Sequence, residues 1–85
     1  MRAATQVYSR DFDAVFLKLP ADLQARITVR IDEVGSRLEH YPHIRLTGLD
    51  CYKLRVGDYR VAYDFDVTKG MLYLLAMGHR REVYR

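Results

Sequence analysis

Seven residues in the second half of the chain, Lys53, Arg55, Arg60, His79, Arg80, Arg81 and Tyr84, are of types that together can handle a phosphate. Guanidinium pairs bidentately with phosphate oxygens and keeps its charge throughout the physiological range. It also suits the extra negative charge that builds on a phosphoryl group under attack. Histidine is available as a neutral base near pH 7. A tyrosine ring can carry an unstacked base, a common way of gripping single-stranded RNA. There is no carboxylate pair, no Ser-His-Asp set and no glycine-rich phosphate loop. One cysteine and three scattered histidines offer no metal-ligand spacing. The residues point to an anion-binding face with RNA as its ligand, and no cofactor is expected.

A hairpin must position three of these cations. Tyr52–Phe65, YKLRVGDYRVAYDF, reads as two alternating runs around Gly57-Asp58. Glycine at the first central position predicts a type II′ turn. Pairing outward from the turn sets Val56 opposite Tyr59, Arg55 opposite Arg60, Leu54 opposite Val61, Lys53 opposite Ala62 and Tyr52 opposite Tyr63. Because strand side chains alternate, Tyr52, Leu54, Val56, Tyr59, Val61 and Tyr63 share one face. Lys53, Arg55 and Arg60 share the other. Like charges directly across a ladder are unfavourable, and an anion bound there would offset the cost. The competing reading is a solvated sheet face with Asp58 or Asp64 as neighbour. His79 could equally cap a strand end, and Tyr84 could pack the tail onto the sheet.

The remaining elements follow from periodicity. Thr5–Tyr8 is a β-prone run. Ser9 can cap a helix whose Phe12, Val15, Phe16 and Leu19 fall on one face. Pro20 ends that helix and can open the next as its first residue. Leu23, Ile27, Ile31, Val34 and Leu38 predict a second helix to about His40, stopped by Tyr41-Pro42. Residues 43–51 read as a connection held down by Ile44, Leu46 and Leu49, with Cys51 as a buried thiol. Met71–Met77 is apolar enough for a strand buried on both faces. Gly78 is expected to break it and to start a basic tail from His79 to Arg85. The order is β-α-α-β-β-β. The predicted fold is α+β, with a two-helix hairpin packed on a mainly antiparallel four-stranded sheet.

Composition sets the outer limits. Eighty-five residues make a single domain with a small core. A hydrophobic fraction of 49% beside 29% charged residues argues against disorder. No apolar run approaches the ~20 residues of a membrane helix, and the N-terminus lacks the apolar core of a signal peptide. A cytoplasmic location is expected. The net charge of +3 arises entirely after residue 42, in the hairpin and the tail. That concentration favours a polyanionic partner.

Four stretches resemble the RelE side of the RelE/ParE toxin superfamily: LRVGDYRVAYDF, the GHRREVYR that follows it, the earlier LPADLQARI, and Leu46-x-Gly48-Leu49. The likeness runs over nearly the whole chain. An arginine in the second hairpin strand and a Gly-His-Arg…Glu-Val-Tyr end are similar to ribosome-dependent mRNA interferases rather than the gyrase-directed ParE branch. The resemblance implies a type II toxin that cleaves mRNA in the ribosomal A site. The 2′-OH of a ribose would attack the adjacent phosphate without a metal. It assigns Arg60 and Arg80 to the scissile phosphate, Tyr84 to a codon base, Lys53 to phosphate binding or proton transfer, and Arg55 to a neighbouring basic position. Arg81 and Arg85 would add RNA contacts.

The chain departs from the pattern at Cys51, where some members carry lysine, and in a tail two residues shorter. The general base therefore stands between Lys53, His79 and Tyr84. The family also implies a cognate RelB-like antitoxin, a toxin–antitoxin hetero-oligomer, and the ribosome with its mRNA as partners. A ParE-type gyrase inhibitor and a non-catalytic RNA- or antitoxin-binding homologue remain the alternatives.

Overall fold

The computed structural model describes residues 3–79. In chain order these form β1 (Thr5–Tyr8), α1 (Arg10–Phe16), α2 (Ala21–Ser36), β2 (Ile44–Arg45), β3 (Tyr52–Val56), β4 (Tyr59–Asp66) and β5 (Met71–His79). The strands make one sheet in the order β1-β5-β4-β3-β2. β1 runs parallel to β5 and every other pairing is antiparallel. The predicted α+β architecture is present with five strands rather than four. The added strand is β2, whose Ile44 and Arg45 pair with Lys53 and Tyr52 inside the expected connection. Two residues are too few to leave a periodic signal.

Both helices begin where local chemistry dictates. The amide of Phe12 donates to Ser9 Oγ at 3.0 Å, and Asp11 and Asp13 sit in the first turn of α1. Pro20 is the N-cap of α2, one position before the expected one. Helix α2 stops at Ser36, a turn earlier than Tyr41-Pro42 predicts. Gly35 and Ser36 explain this. Glycine is a poor helix former, and the Ser36 hydroxyl donates back to the Glu33 carbonyl at 3.0 Å. The Gly35 carbonyl instead accepts from the amide of Ala4, which leads into β1.

The hairpin register is the predicted one, with Val56 opposite Tyr59 and Arg55 opposite Arg60. Gly57 has φ +59°, and no residue other than glycine has positive φ among those described. A type I′ turn needs positive φ at both central residues, so Asp58 excludes it and the type II′ assignment stands.

Strand β5 holds the main departure. Ala62 pairs with Ala76, but the next residue, Tyr63, pairs with Leu74. Leu75 is therefore an extra residue, a β-bulge. The bulge reverses the alternation of everything beyond it. Leu72 and Leu74 face the helices before it, and Met77 faces them after it. Ser9 holds the bulge: its hydroxyl donates to the Leu75 carbonyl at 2.5 Å and its amide to the Leu74 carbonyl at 2.9 Å. One side chain thus caps α1 and fixes the irregular point of β5. Gly78, expected to end the strand, lies within it opposite Arg60, and His79 is its last residue.

The core lies between the helices and one sheet face. Phe12, Ile27, Ile31, Val34 and Leu38 pack against Leu54, Val56, Val61, Tyr63, Leu72, Leu74 and Met77. Leu46 is buried as expected, but Ile44 and Leu49 are 58% and 54% exposed and do not pin the connection. Cys51 is only half-buried. At one end of the core His43 stacks on Phe65 with ring centroids 3.9 Å apart. Its ring nitrogens contact the Tyr63 hydroxyl and the Leu38 carbonyl, each at 2.7 Å. This histidine has a structural role, joining the turn after α2 to β4.

Two consequences can be measured. Ser9→Ala removes a helix cap, worth about 1 kcal/mol, and the donor to Leu75, worth a similar amount. Urea denaturation should show a loss of about 2 kcal/mol. Ser9→Asp, which can cap but cannot donate, should recover about half. Burial pushes the Tyr63 hydroxyl well above the ordinary tyrosine value, with Tyr41 and Tyr52 adding to the shift. The fold holds this phenol neutral while an unfolded chain ionises it near pH 10. Its contribution to stability is therefore complete below about pH 10 and is lost as pH rises above it. In an ultraviolet titration Tyr63 should ionise only as the fold melts. Ionisation of all seven tyrosines in the native state would overturn this.

Candidate nucleic-acid interface

The sheet face away from the helices carries the predicted cations in two rows. One row runs Ile44, Lys53, Ala62, Ala76 across β2, β3, β4 and β5. The next runs Arg55, Arg60, Gly78 across β3, β4 and β5. Arg60 lies on an interior strand and is half-buried, its Nε fully so, and Arg55 is exposed. A glycine on one side of Arg60 leaves the guanidinium room to lie across the sheet. On the other side Arg55 Nε donates to the Gly57 carbonyl at 3.3 Å, which draws that side chain toward the turn.

Helix α2 braces this hairpin from behind. Arg30 Nη1 donates to the Arg55 carbonyl at 3.1 Å, on the part of β3 that β2 does not reach. An Arg26 Nη atom approaches within 3.6 Å of the position a Gly57 Cβ would take. These two arginines read in the sequence as members of a solvated helix face. Their tertiary role has no sequence signal, because it depends on where the hairpin tip lands against α2.

His79 does not join the cation face. Its register partner is Tyr59, which points to the helix side, and the two rings meet edge-on at 5.9 Å. The bulge at Leu75 is the cause: without it, continued alternation from Leu74 would put His79 on the face of Arg60. Its expected place beside Lys53 and Arg60 is therefore corrected. Arg80, Arg81, Tyr84 and Arg85 lie outside the described residues.

A shallow apolar cavity of about 400 Å³ opens on the cation face, lined by Leu46, Leu49, Cys51, Ala62, Leu75, Ala76, Met77 and Gly78. Leu46 and Ala62 are buried here, apart from the helix-side core. Burial raises the Cys51 thiol above its ordinary value, with Asp64 and Asp50 acting the same way. Cys51 thus lacks the lowered pKa that marks a catalytic thiolate, while its half-buried thiol stays within reach of an added alkylating reagent. Among the described residues no group of three or more His, Cys, Asp or Glu is placed to hold a metal ion. No helix among them is long and apolar enough to cross a membrane.

Comparison with known proteins supplies the family. Residues 7–84 match the family model described as the ParE toxin of type II toxin–antitoxin system, parDE. No curated protein sequence matches significantly. Among solved structures, the isolated Escherichia coli RelE toxin is similar with TM-score 0.76 and 23% identity, over 96% of this chain and 92% of that one. A chain of the archaeal RelE–RelB complex from Pyrococcus horikoshii gives TM-score 0.76 and 21% identity, over 95% of this chain and 99% of that one. A chain of the Methanococcus jannaschii RelB–RelE antitoxin–toxin complex gives 0.70 and 18%, over 92% and 94%. At these identities the structural matches establish the fold, and the family match spans most of the chain. This chain therefore has the fold of the RelE toxins and belongs to the family that the model describes as the ParE toxin of type II toxin–antitoxin systems.

Proposed function

We propose that this toxin is an mRNA endoribonuclease acting on the ribosome, with residues 1–85 working as one domain in the cytoplasm. The observation that carries the reading is Arg60. It is half-buried on an interior strand, flanked by Gly78 on one side and Arg55 on the other, with Lys53 in the adjoining row. A guanidinium braced in a sheet is preorganised to meet charge that develops on a phosphoryl group, so it need not reorganise during the reaction.

The reaction is a transesterification. A base removes the proton of a ribose 2′-OH, and O2′ forms a bond to the adjacent phosphorus. The bond from phosphorus to O5′ of the next nucleotide breaks, and that oxygen takes up a proton. The products are a 2′,3′-cyclic phosphate and a 5′-hydroxyl. Arg60 stabilises the phosphoryl charge, and Arg80 is assigned the same task. Lys53 holds the phosphate or transfers the proton, and Tyr84 stacks on a base. With His79 registered to the other face, Lys53 and Tyr84 are the preferred candidates for proton transfer. The ribosome supplies the alignment of the mRNA that a bare basic face lacks. The RelB complexes among the similar structures support a RelB-like antitoxin as partner of this chain as well.

The family model is described as the ParE toxin, and the ParE branch carries the second reading, gyrase inhibition. That activity would not need Arg60, Arg80 and Tyr84 together. In vitro translation with 5′-end mapping of the mRNA separates the two. The wild type should produce new ends within codons, and Arg60→Ala should lower cleavage by roughly 10²–10³-fold. Equal cleavage by Arg60→Ala and Arg80→Ala would remove the site assignment. Inhibited supercoiling by gyrase with no new mRNA ends would favour the second reading. Binding to single-stranded RNA should weaken as salt rises. Arg60→Ala should reduce the slope of log affinity against log salt by about 0.7, the value for one phosphate contact.

A further inference from the structure

The apolar cavity on the cation face has no part in the scheme above, yet its floor is continuous with the cations. Ala62 sits directly between Lys53 on β3 and Ala76 on β5. It is two residues along β4 from Arg60, about 7 Å at the strand repeat. The floor is made of the smallest side chains available, Ala62, Ala76 and Gly78. The walls are Leu46, Leu49 and Leu75. Leu49 and the bulged Leu75 are exposed although both are large and apolar. A flat, small-residue floor between leucine walls is a slot for a planar apolar body. The basic rim set by Lys53 and Arg60 selects one that carries a phosphate close by.

We infer that this slot receives a nucleobase of the same RNA strand whose phosphate Arg60 holds, so that Ala62, Ala76, Leu49 and Leu75 help to set which nucleotide is accepted. The inference rests on the endoribonuclease reading and adds to it a base subsite separate from Tyr84. A protein segment would fill such a slot with an aliphatic side chain and would need a separate acidic residue to meet the basic rim. A nucleotide satisfies the floor and the rim together. The bulge makes the slot: by reversing alternation at Leu75 it brings Ala76 and Gly78, rather than Met77 and His79, to this face.

Cys51 lines the slot and is the only cysteine in the chain, so alkylation of its thiol reports occupancy. The probe is the dinucleotide ApA, with an abasic counterpart that keeps the phosphate. ApA should slow Cys51 alkylation several-fold and shift the amide resonances of Ala62 and Ala76, and the abasic form should do neither. In the translation assay Ala76→Leu, which fills the slot, should change the relative use of cleavage codons by about tenfold, the discrimination expected of a pocket altered by a few methylenes. Leu49→Ala, at an exposed position, widens the slot without endangering the fold and should shift codon use as well.

If ApA moves the amides of Lys53 and Arg60 but leaves Cys51 and the Ala62–Ala76 pair untouched, the slot is no base subsite and the endoribonuclease reading stands. If no amide on this face moves and no mRNA is cut, both fail. If Cys51 is already protected without nucleotide, and deletion of residues 80–85 exposes it, the chain's own end occupies the slot and the inference is overturned.

Discussion

The hairpin closed by Gly57-Asp58 is the constraint on which the rest depends. A two-residue turn leaves no freedom in register, and a strand's side chains alternate with period two. Once Val56 faces Tyr59, every later pair is determined. Leu54, Val56, Val61 and Tyr63 go to the helices, and Lys53, Arg55 and Arg60 go to the opposite face. A slip of one residue would carry Arg60 into the core and expose the apolar set. The core and the candidate site are therefore the same decision seen from the two sides of one sheet. Burying the apolar set resists a slip, so packing on one face holds the guanidinium groups on the other.

The second control is the bulge at Leu75. Regular alternation through β5 would take Met77 and His79 to the cation face and Ala76 and Gly78 to the helices. The bulge exchanges them. Met77 fills the core, the glycine gives Arg60 space, and the alanine floors the slot. The irregular carbonyl is held by Ser9, which also begins α1. Helix start and site geometry thus share one hydroxyl. β1 brings Ser9 to that place by running parallel to β5 from Thr5 to Tyr8.

The face so formed holds its like charges by placing them differently. Arg55 turns toward the carbonyl of Gly57, and its own carbonyl is taken by Arg30 of α2. Arg60 lies half-buried beside Gly78. Repulsion between neighbouring cations costs stability wherever no anion is present. Natural chains tolerate such local conflict mainly at functional sites. An anion bound on this face would offset that cost.

The sequence by itself determined the two helices, the hairpin with its register, the II′ turn, the Ser9 cap and the shared face of Lys53, Arg55 and Arg60. All of these are local: they follow from periodicity, turn chemistry and capping within a few residues. The ends of elements were less legible. Gly35-Ser36 stops α2 before the proline signal does, and the two-residue β2 is too short to show. The position of His79, the bracing by Arg26 and Arg30, and the apolar slot were decided only by tertiary structure. Each depends on an event between distant segments: the bulge that Ser9 stabilises from 66 residues away in the chain, or the landing of the hairpin tip on α2. A run such as Met71–Met77 is apolar throughout, so it carries no alternation from which a bulge could be read. Only pairing against β4, whose alternation is strict, reveals where the extra residue sits and which side chains it sends to the site.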